Sequence, residues 1–532
     1  MDGDEGRAVT PGMAFIQRPG FYWFVFSLIL AWGVVSRIAW TYLYGVPIIQ
    51  PDSFTYWLPA VSSPLWPWSW CRTAGYPFLI VLGLGLFHHP VGILILQNVL
   101  TIAAALFLHY AIRTQLHKPW LATLMLIYSL LFLKGIQGEY LMLSEAFARV
   151  TYLSFLALII LIWTRLTAPR AAILCAVTLI SILIRPAAIA LVPIFPITLL
   201  LKMWAKKDLS LRTLFVHSGL FLSTIAVVLL IYSIQFQSKY RYFGLTAYSG
   251  FALFVQAAQY IDFQSPRYAD LKQELKPLID VYREKYSSRR QYQMSWLIYG
   301  TMDDQLRTDF GDNSPAKIIK TYAEKHPGDQ ILPVRINGIY YDLAKEGIAA
   351  HLPEYLLYGA RRTAGLLYYG GIWDDKARDP YFSTKSWDES RAFYMETADK
   401  PQPFAQYDLL KASIFFRLLA APVRVLAMVM GVATKFLVCL AGIALIPLLR
   451  KSTFQDHRGP LTLLFIVSLI WIFYCALLGY ISSADPGRYF LCVQDTFIFS
   501  VLFALDLGLT FLLKSKYPRE IRPANHQLVV TQ

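Results

Sequence analysis

The chain has 532 residues, 56% of them hydrophobic, 15% aromatic and only 16% charged, with a mean hydropathy of +0.44. These proportions exclude a water-soluble globular protein and a disordered one, and they predict an all-α polytopic membrane protein. The net charge of +15 belongs to loops on one membrane face and to headgroup attraction, so it gives no support to nucleic-acid binding.

Residues 1–20 carry Asp2, Asp4 and Glu5 ahead of a run long enough to span, so they read as a retained cytoplasmic N-terminus and not a cleavable leader. At about 20 residues per crossing, the apolar runs predict about ten spans, within a range of about nine to twelve. In chain order they are 21–43, 91–112, 120–136, 143–164, 168–184, 186–203, 213–235, 424–449, 460–481 and 490–513. Residues 21–235 thus form a seven-span core that includes a first outer loop, 44–90. An extracytoplasmic domain follows over 236–412, then three closing spans within 413–513 and a basic cytoplasmic tail, 514–532. Arg185-Pro186 separates two short runs; one broken re-entrant element is the alternative to the two spans retained.

Lysine and arginine set the orientation, because cytoplasmic connectors carry the positive excess. Arg113 with Lys118, Arg165 with Arg170, Lys202 to Arg212, and Arg450 to Arg458 fall on one side, whereas the opposite short connectors hold little beyond Arg72, Lys134, Arg185 and Arg488. Both termini are therefore expected in the cytoplasm. The 236–412 domain reads as mainly helical, with amphipathic runs at 268–286, 316–325 and 334–349. His351 to Tyr369 mixes leucine, tyrosine and alanine with Arg361 and Arg362, which suits a helix lying in the membrane interface.

The five cysteines form no framework, and no CxxC, HExxH or P-loop signature occurs. A Cys71 to Cys492 bridge stays open beside the simpler reading of two lone thiols. His88-His89-Pro90 reads as a helix break, since adjacent imidazoles on a helix do not share a face and no further ligand follows.

Ionisable groups in or beside lipid are costly, so their distribution points to function. Asp52, Tyr56 and Arg72 fall in the first outer loop, Glu139, Glu145 and Arg149 around the second, Arg185 at the end of the fifth span, and Asp485 and Arg488 before the tenth. Stretches far apart in the chain are thereby expected at one depth. Each has a plainer reading. Glu145 and Arg149 are spaced to pair along one helix, single arginines snorkel to headgroups, and Tyr56 sits among interfacial tryptophans.

Four pieces of sequence resemble the GT-C superfamily of polyprenyl-phosphate-sugar-dependent glycosyltransferases, in particular the bacterial branch similar to aminoarabinose transferases and protein O-mannosyltransferases. They are Pro51-Asp52-Ser53-Phe54-Thr55-Tyr56, Arg72-Thr73-Ala74-Gly75-Tyr76-Pro77, Leu143-Ser144-Glu145 and Gly487-Arg488-Tyr489. The division into seven spans, a large outer segment and a few closing spans is similar too. The resemblance implies an inverting transfer of a sugar from a polyprenyl-phosphate donor to an acceptor hydroxyl or amine at the extracytoplasmic face, with Asp52 as base. It implies a second acid, Glu145 or Glu139, orienting the acceptor, and substrate contacts from Tyr56, Arg72, Tyr76, Arg185, Arg488 and Tyr489. No resident cofactor is expected; a divalent cation stays open, because Ser53 stands where the family often carries a paired acid.

The chemistry agrees with that inventory. Glycosyl transfer from a lipid phosphate needs a base for the acceptor proton and positive charge for a phosphate that leaves readily, so one carboxylate with arginines suffices. A cell-envelope glycan, lipid or protein is the expected acceptor, in a multi-pass protein of the bacterial inner membrane. Two rivals remain: an O-antigen ligase or polymerase, for which Arg361, Arg362 and His351 speak, and a transporter or flippase of a lipid-linked intermediate.

Overall fold

The computed structural model describes residues 19–44, 46–49, 51–63, 69–131, 139–285, 315–365, 438, 440–443, 457–481 and 492–516. Among these the chain is helical, with a single β-bridge between Ile48 and Leu141. The helices are α1 (Pro19–Tyr44), α2 (Phe54–Ser62), α3 (Gly75–Phe87), α4 (Val91–Gln115), α5 (Pro119–Leu131), α6 (Ser144–Thr164), α7 (Ala168–Ile184), α8 (Ile194–Lys206) and α9 (Leu211–Tyr240). Then come α10 (Ser249–Ala257), α11 (Ala269–Lys285), α12 (Pro315–Lys325), α13 (Leu332–Ala350), α14 (Leu352–Gly365), α15 (Arg458–Ile481) and α16 (Gln494–Lys516).

Seven of the helices are long and apolar enough to cross a membrane, as befits a multi-pass protein: α1, α4, α6, α9, α15, α16 and the Pro186–Lys206 element that contains α8. Two more expected spans, 120–136 and 168–184, are represented by the shorter apolar helices α5 and α7. The expected span 424–449 lies outside the described residues apart from 438 and 440–443. The 13-residue apolar helix α3 lies inside the first loop, before the His88-His89-Pro90 break, and is not one of the ten expected spans. His88 closes it in the left-handed region at φ 51°, and α4 starts at Val91, so His88-His89-Pro90 is a helix break.

The bundle is built around α6, which is apolar on every side apart from its first turns and is packed against α4, α7, α8, α15 and α16. Its membrane-length window is 94% buried against 17% for α9, so α6 is the core and α9 a lipid-facing rim. The C-terminal carbonyls of α6 take Lys202 Nζ on Ile162 O at 3.0 Å, Lys206 Nζ on Trp163 O at 2.9 Å and Arg170 on Leu161 O at 2.7 Å. Three cations thus gather on the last carbonyls of α6, at the negative end of the helix dipole.

Those three contacts also fix direction. The start of α7 and the end of α8 both meet the end of α6, so the chain reverses between them, through extended Arg185 and the 3-10 turn Pro186–Leu191. Arg185 is carried back to the end where α6 begins. Lys118 and Arg458, both from the basic connectors, meet Asp506 of α16 and the Trp204 ring of α8.

Helices α10 to α14 share a second apolar core of Phe254, Leu271, Leu275, Ile319, Tyr340 and Leu343. The amphipathic runs expected at 268–286, 316–325 and 334–349 are the helices α11, α12 and α13.

Candidate functional site

The first loop is pinned before any charge is placed. Ile48 exchanges backbone hydrogen bonds with Tyr140 and Met142, at 2.7 and 2.9 Å, and Ser53 Oγ donates to Met142 O at 2.8 Å. The 3-10 turn Pro51–Ser53 that carries Asp52 is thereby fastened beside the start of α6. Downstream, Gly75 lets α3 begin against the end of α7: a Cβ there would stand 2.5 Å from Leu183 O. The glycine of Arg72-Thr73-Ala74-Gly75-Tyr76-Pro77 thus brings the loop to the level of Arg185.

Asp52 Oδ1 lies 2.9 Å from Arg72 Nη2, and Arg72 Nε donates to Thr55 Oγ1 at 2.8 Å. The guanidinium is held over two rings, Tyr56 at 4.8 Å and Tyr248 at 5.2 Å. Burial works against its charge, which the Asp52 carboxylate beside it offsets. Behind this pair stands a second one. Arg185 Nη1 lies 3.1 Å from Glu145 Oε1 and 3.4 Å from Ser144 Oγ, and Ser144 Oγ is 3.1 Å from the Tyr56 hydroxyl. Burial raises the Tyr56 pKa, so the phenol stays neutral and able to donate. Tyr76 is buried edge-on against Tyr56, with ring centroids 4.9 Å apart.

Asp52, Tyr56, Arg72, Tyr76, Glu145 and Arg185 are therefore gathered from three separate stretches, joined through the Tyr56–Ser144 hydrogen bond. Exposure divides them. Both side chains of the Asp52–Arg72 pair are 16% exposed, whereas Glu145 and Arg185 are at 2% and 8%, so the front pair can meet a ligand and the rear pair supports it. Tyr56 is buried and does not stand at a lipid interface as an anchor. Arg488 and Tyr489, like Asp485, lie outside the described residues.

Glu139 goes elsewhere. Its carboxylate takes Arg37 through two hydrogen bonds of 2.8 Å and Arg149 at 3.1 Å. Arg149 in turn binds Asp495 at 2.6 Å and donates to Ser129 O at 2.8 Å, while Ser129 Oγ donates to Asp495 at 2.8 Å. The i to i+4 pairing of Glu145 with Arg149 is not the one formed: each finds a partner from another helix. This second cluster balances two guanidiniums against two carboxylates in the dry interior of α1, α5, α6 and α16.

Sequence reasoning passed over Arg37, Thr55, Tyr248 and Asp495. Arg37 and Asp495 had a signal, being ionisable residues inside apolar runs; Tyr248 had none. Cys71 and Cys492 are both buried thiols, and no disulfide joins them. Among the described residues no group of three or more histidine, cysteine or acidic side chains is arranged to hold a metal. No protein-family model, no curated protein and no solved structure matches the chain.

Proposed function

We propose that the chain is an integral membrane glycosyltransferase of the GT-C type, moving a sugar from a polyprenyl-phosphate donor to an acceptor hydroxyl or amine at the extracytoplasmic face of a bacterial inner membrane. The observation that carries the reading is the accessible Asp52–Arg72 pair, with Glu145–Arg185 behind it through Tyr56 and Ser144. A carboxylate and a guanidinium side by side, both partly open, are what a base and a phosphate contact require.

Asp52 takes the proton of the acceptor, whose oxygen or nitrogen attacks the anomeric carbon from the face opposite the lipid. The bond to the phosphate oxygen breaks, its electron pair stays on the phosphate, and the configuration inverts. Arg72, held by Asp52 and Thr55, offers its remaining donors to the departing phosphate, since a guanidinium can hold oxygens of two partners at once. Arg185 holds Glu145 and donates to Ser144, whose hydroxyl positions that of Tyr56. Glu139 is left out of the reaction: two arginines already occupy it, at 0% exposure. The same closure argues against a carrier, which would need those membrane-embedded charges to move.

The test is transfer by the protein in lipid nanodiscs against a panel of polyprenyl-phospho-sugars. Asp52→Asn should lower turnover by about 10²–10⁴-fold, the usual contribution of a positioned base. Its fold should be kept, because Asn has the same shape as Asp and its amide oxygen can still accept from Arg72 Nη2, so the thermal transition serves as the check on folding. Normal turnover by Asp52→Asn would refute the assignment.

A further inference from the structure

Helix α14 is amphipathic in an unusual sense, because both of its faces are apolar. One face packs inward: Tyr355 and Tyr358 are buried, and Arg362 donates to Gln256 Oε1 at 2.9 Å beside the Tyr358 hydroxyl at 3.0 Å. The other face is open and consists of Leu352, Pro353, Leu356, Leu357, Ala360 and Ala364. At 100° per residue these six fall within an arc of about 140°, which at its C-terminal end also contains the half-buried Thr363. The exposed charges Glu354 and Arg361 stand together beyond one margin of it. The leucines are 48%, 49% and 54% exposed, which on a water-facing helix is an uncompensated apolar stripe.

The place of α14 says what covers that stripe. It packs on the last turn of α15: an added Cβ on Gly359 would collide with the Tyr480 ring, and one on Gly479 with Thr363 Oγ1. Tyr480 OH donates to Leu356 O at 3.0 Å, and Tyr355 OH donates back to Tyr480 O. With 24 residues, α15 is about 36 Å long, slightly more than the roughly 30 Å hydrocarbon core, so its last turn lies at the boundary. A helix clasped there, apolar outward with an arginine at the rim of its stripe, has the layout of an interfacial element.

We infer that the open face of α14 is seated in the bilayer surface, so that the lobe of α10 to α14 is held to the membrane by lipid as well as by α15. The inference needs only that α15 spans, and is independent of the transferase reading. Spin labels at Leu356→Cys and Leu357→Cys, in the full chain in lipid nanodiscs, test it, with Lys345→Cys on the exposed side of α13 as the aqueous reference. Labels at 356 and 357 should be accessible to oxygen and shielded from a water-soluble nickel chelate, at a depth of about 5–10 Å. The label at 345 should show the reverse. Equal nickel access at 345, 356 and 357 would overturn the proposal, and so would dipolar coupling between labels of neighbouring copies, which would make a second chain the occupant. The labelled positions point away from the packed face, so the thermal transition of the parent protein should be kept and serves as the check on folding.

Discussion

Replacing Arg149 by alanine should unfold the bundle more readily than any substitution at the candidate site. The guanidinium gives Asp495 its strongest partner, at 2.6 Å, and a second contact at 3.2 Å, so its loss leaves that carboxylate buried at 2% exposure with Ser129 as the neighbour that still donates to it. Glu139 keeps the bidentate Arg37. Removing one member of a buried pair costs about 3–5 kcal/mol, mostly from the uncompensated charge left behind. Replacing both members, Arg149→Met with Asp495→Leu, should cost far less and can be neutral, since the desolvation of two ions disappears together. Thermal unfolding in detergent, followed by size-exclusion fluorescence, would compare the two single variants with the double in one cycle. An Arg149→Ala protein as stable as the parent, or a double variant whose loss equals the sum of the singles, would refute the view that these charges stabilise one another.

Glu139→Gln should follow the same pattern, with lower stability but retained turnover per folded molecule; selective loss of turnover would return Glu139 to the reaction. Tyr56→Phe removes the 3.1 Å bond to Ser144, which should lower stability by about 1 kcal/mol and lower turnover with it. Gly75→Ala should displace the start of α3 from Leu183 at a cost of about 1–3 kcal/mol and lower turnover with it, a joint effect that nanodisc assays and melting curves can read together. In the α10 to α14 lobe, burial pushes the Tyr260 and Tyr268 phenols up from the ordinary 10.0 to about 12. The folded state therefore holds those protons longer than the unfolded one. Their stabilisation is complete below about pH 10 and is lost as pH rises through about 12, so denaturant midpoints should fall across that window and fall less steeply in Tyr260→Phe.

The spanning helices were legible in the sequence because crossing lipid demands a minimum apolar length. Expected runs at 143–164 and 168–184 coincide almost residue for residue with α6 and α7. Helix α3 was not counted as a span because its 13 residues are too few to cross and it starts within a loop dense in tryptophan and proline. The gathering of Asp52, Arg72, Glu145 and Arg185 was legible for a related reason, since charges near lipid must find one another. Their pairing was not. Spacing along one helix favoured Glu145 with Arg149, but in a dry interior a tertiary partner at 2.6 to 3.1 Å outweighs a helical neighbour, and the sequence holds no record of which helix supplies it. Tyr248 reaches Arg72 from a helix start about 175 positions later, where only the path of the chain through α9 explains the meeting.

The clasp between Arg149 and Asp495 has a consequence for biogenesis. Asp495 lies 346 residues downstream of its partner, and at about 5–20 residues per second the ribosome needs roughly 20–70 s to deliver it. Throughout that interval a nascent chain that has already inserted α1, α5 and α6 must shelter two guanidiniums on the single carboxylate of Glu139. The last described helix therefore acts as a counter-ion delivered late, and a chain truncated before it would leave a net positive charge stranded among hydrocarbon tails.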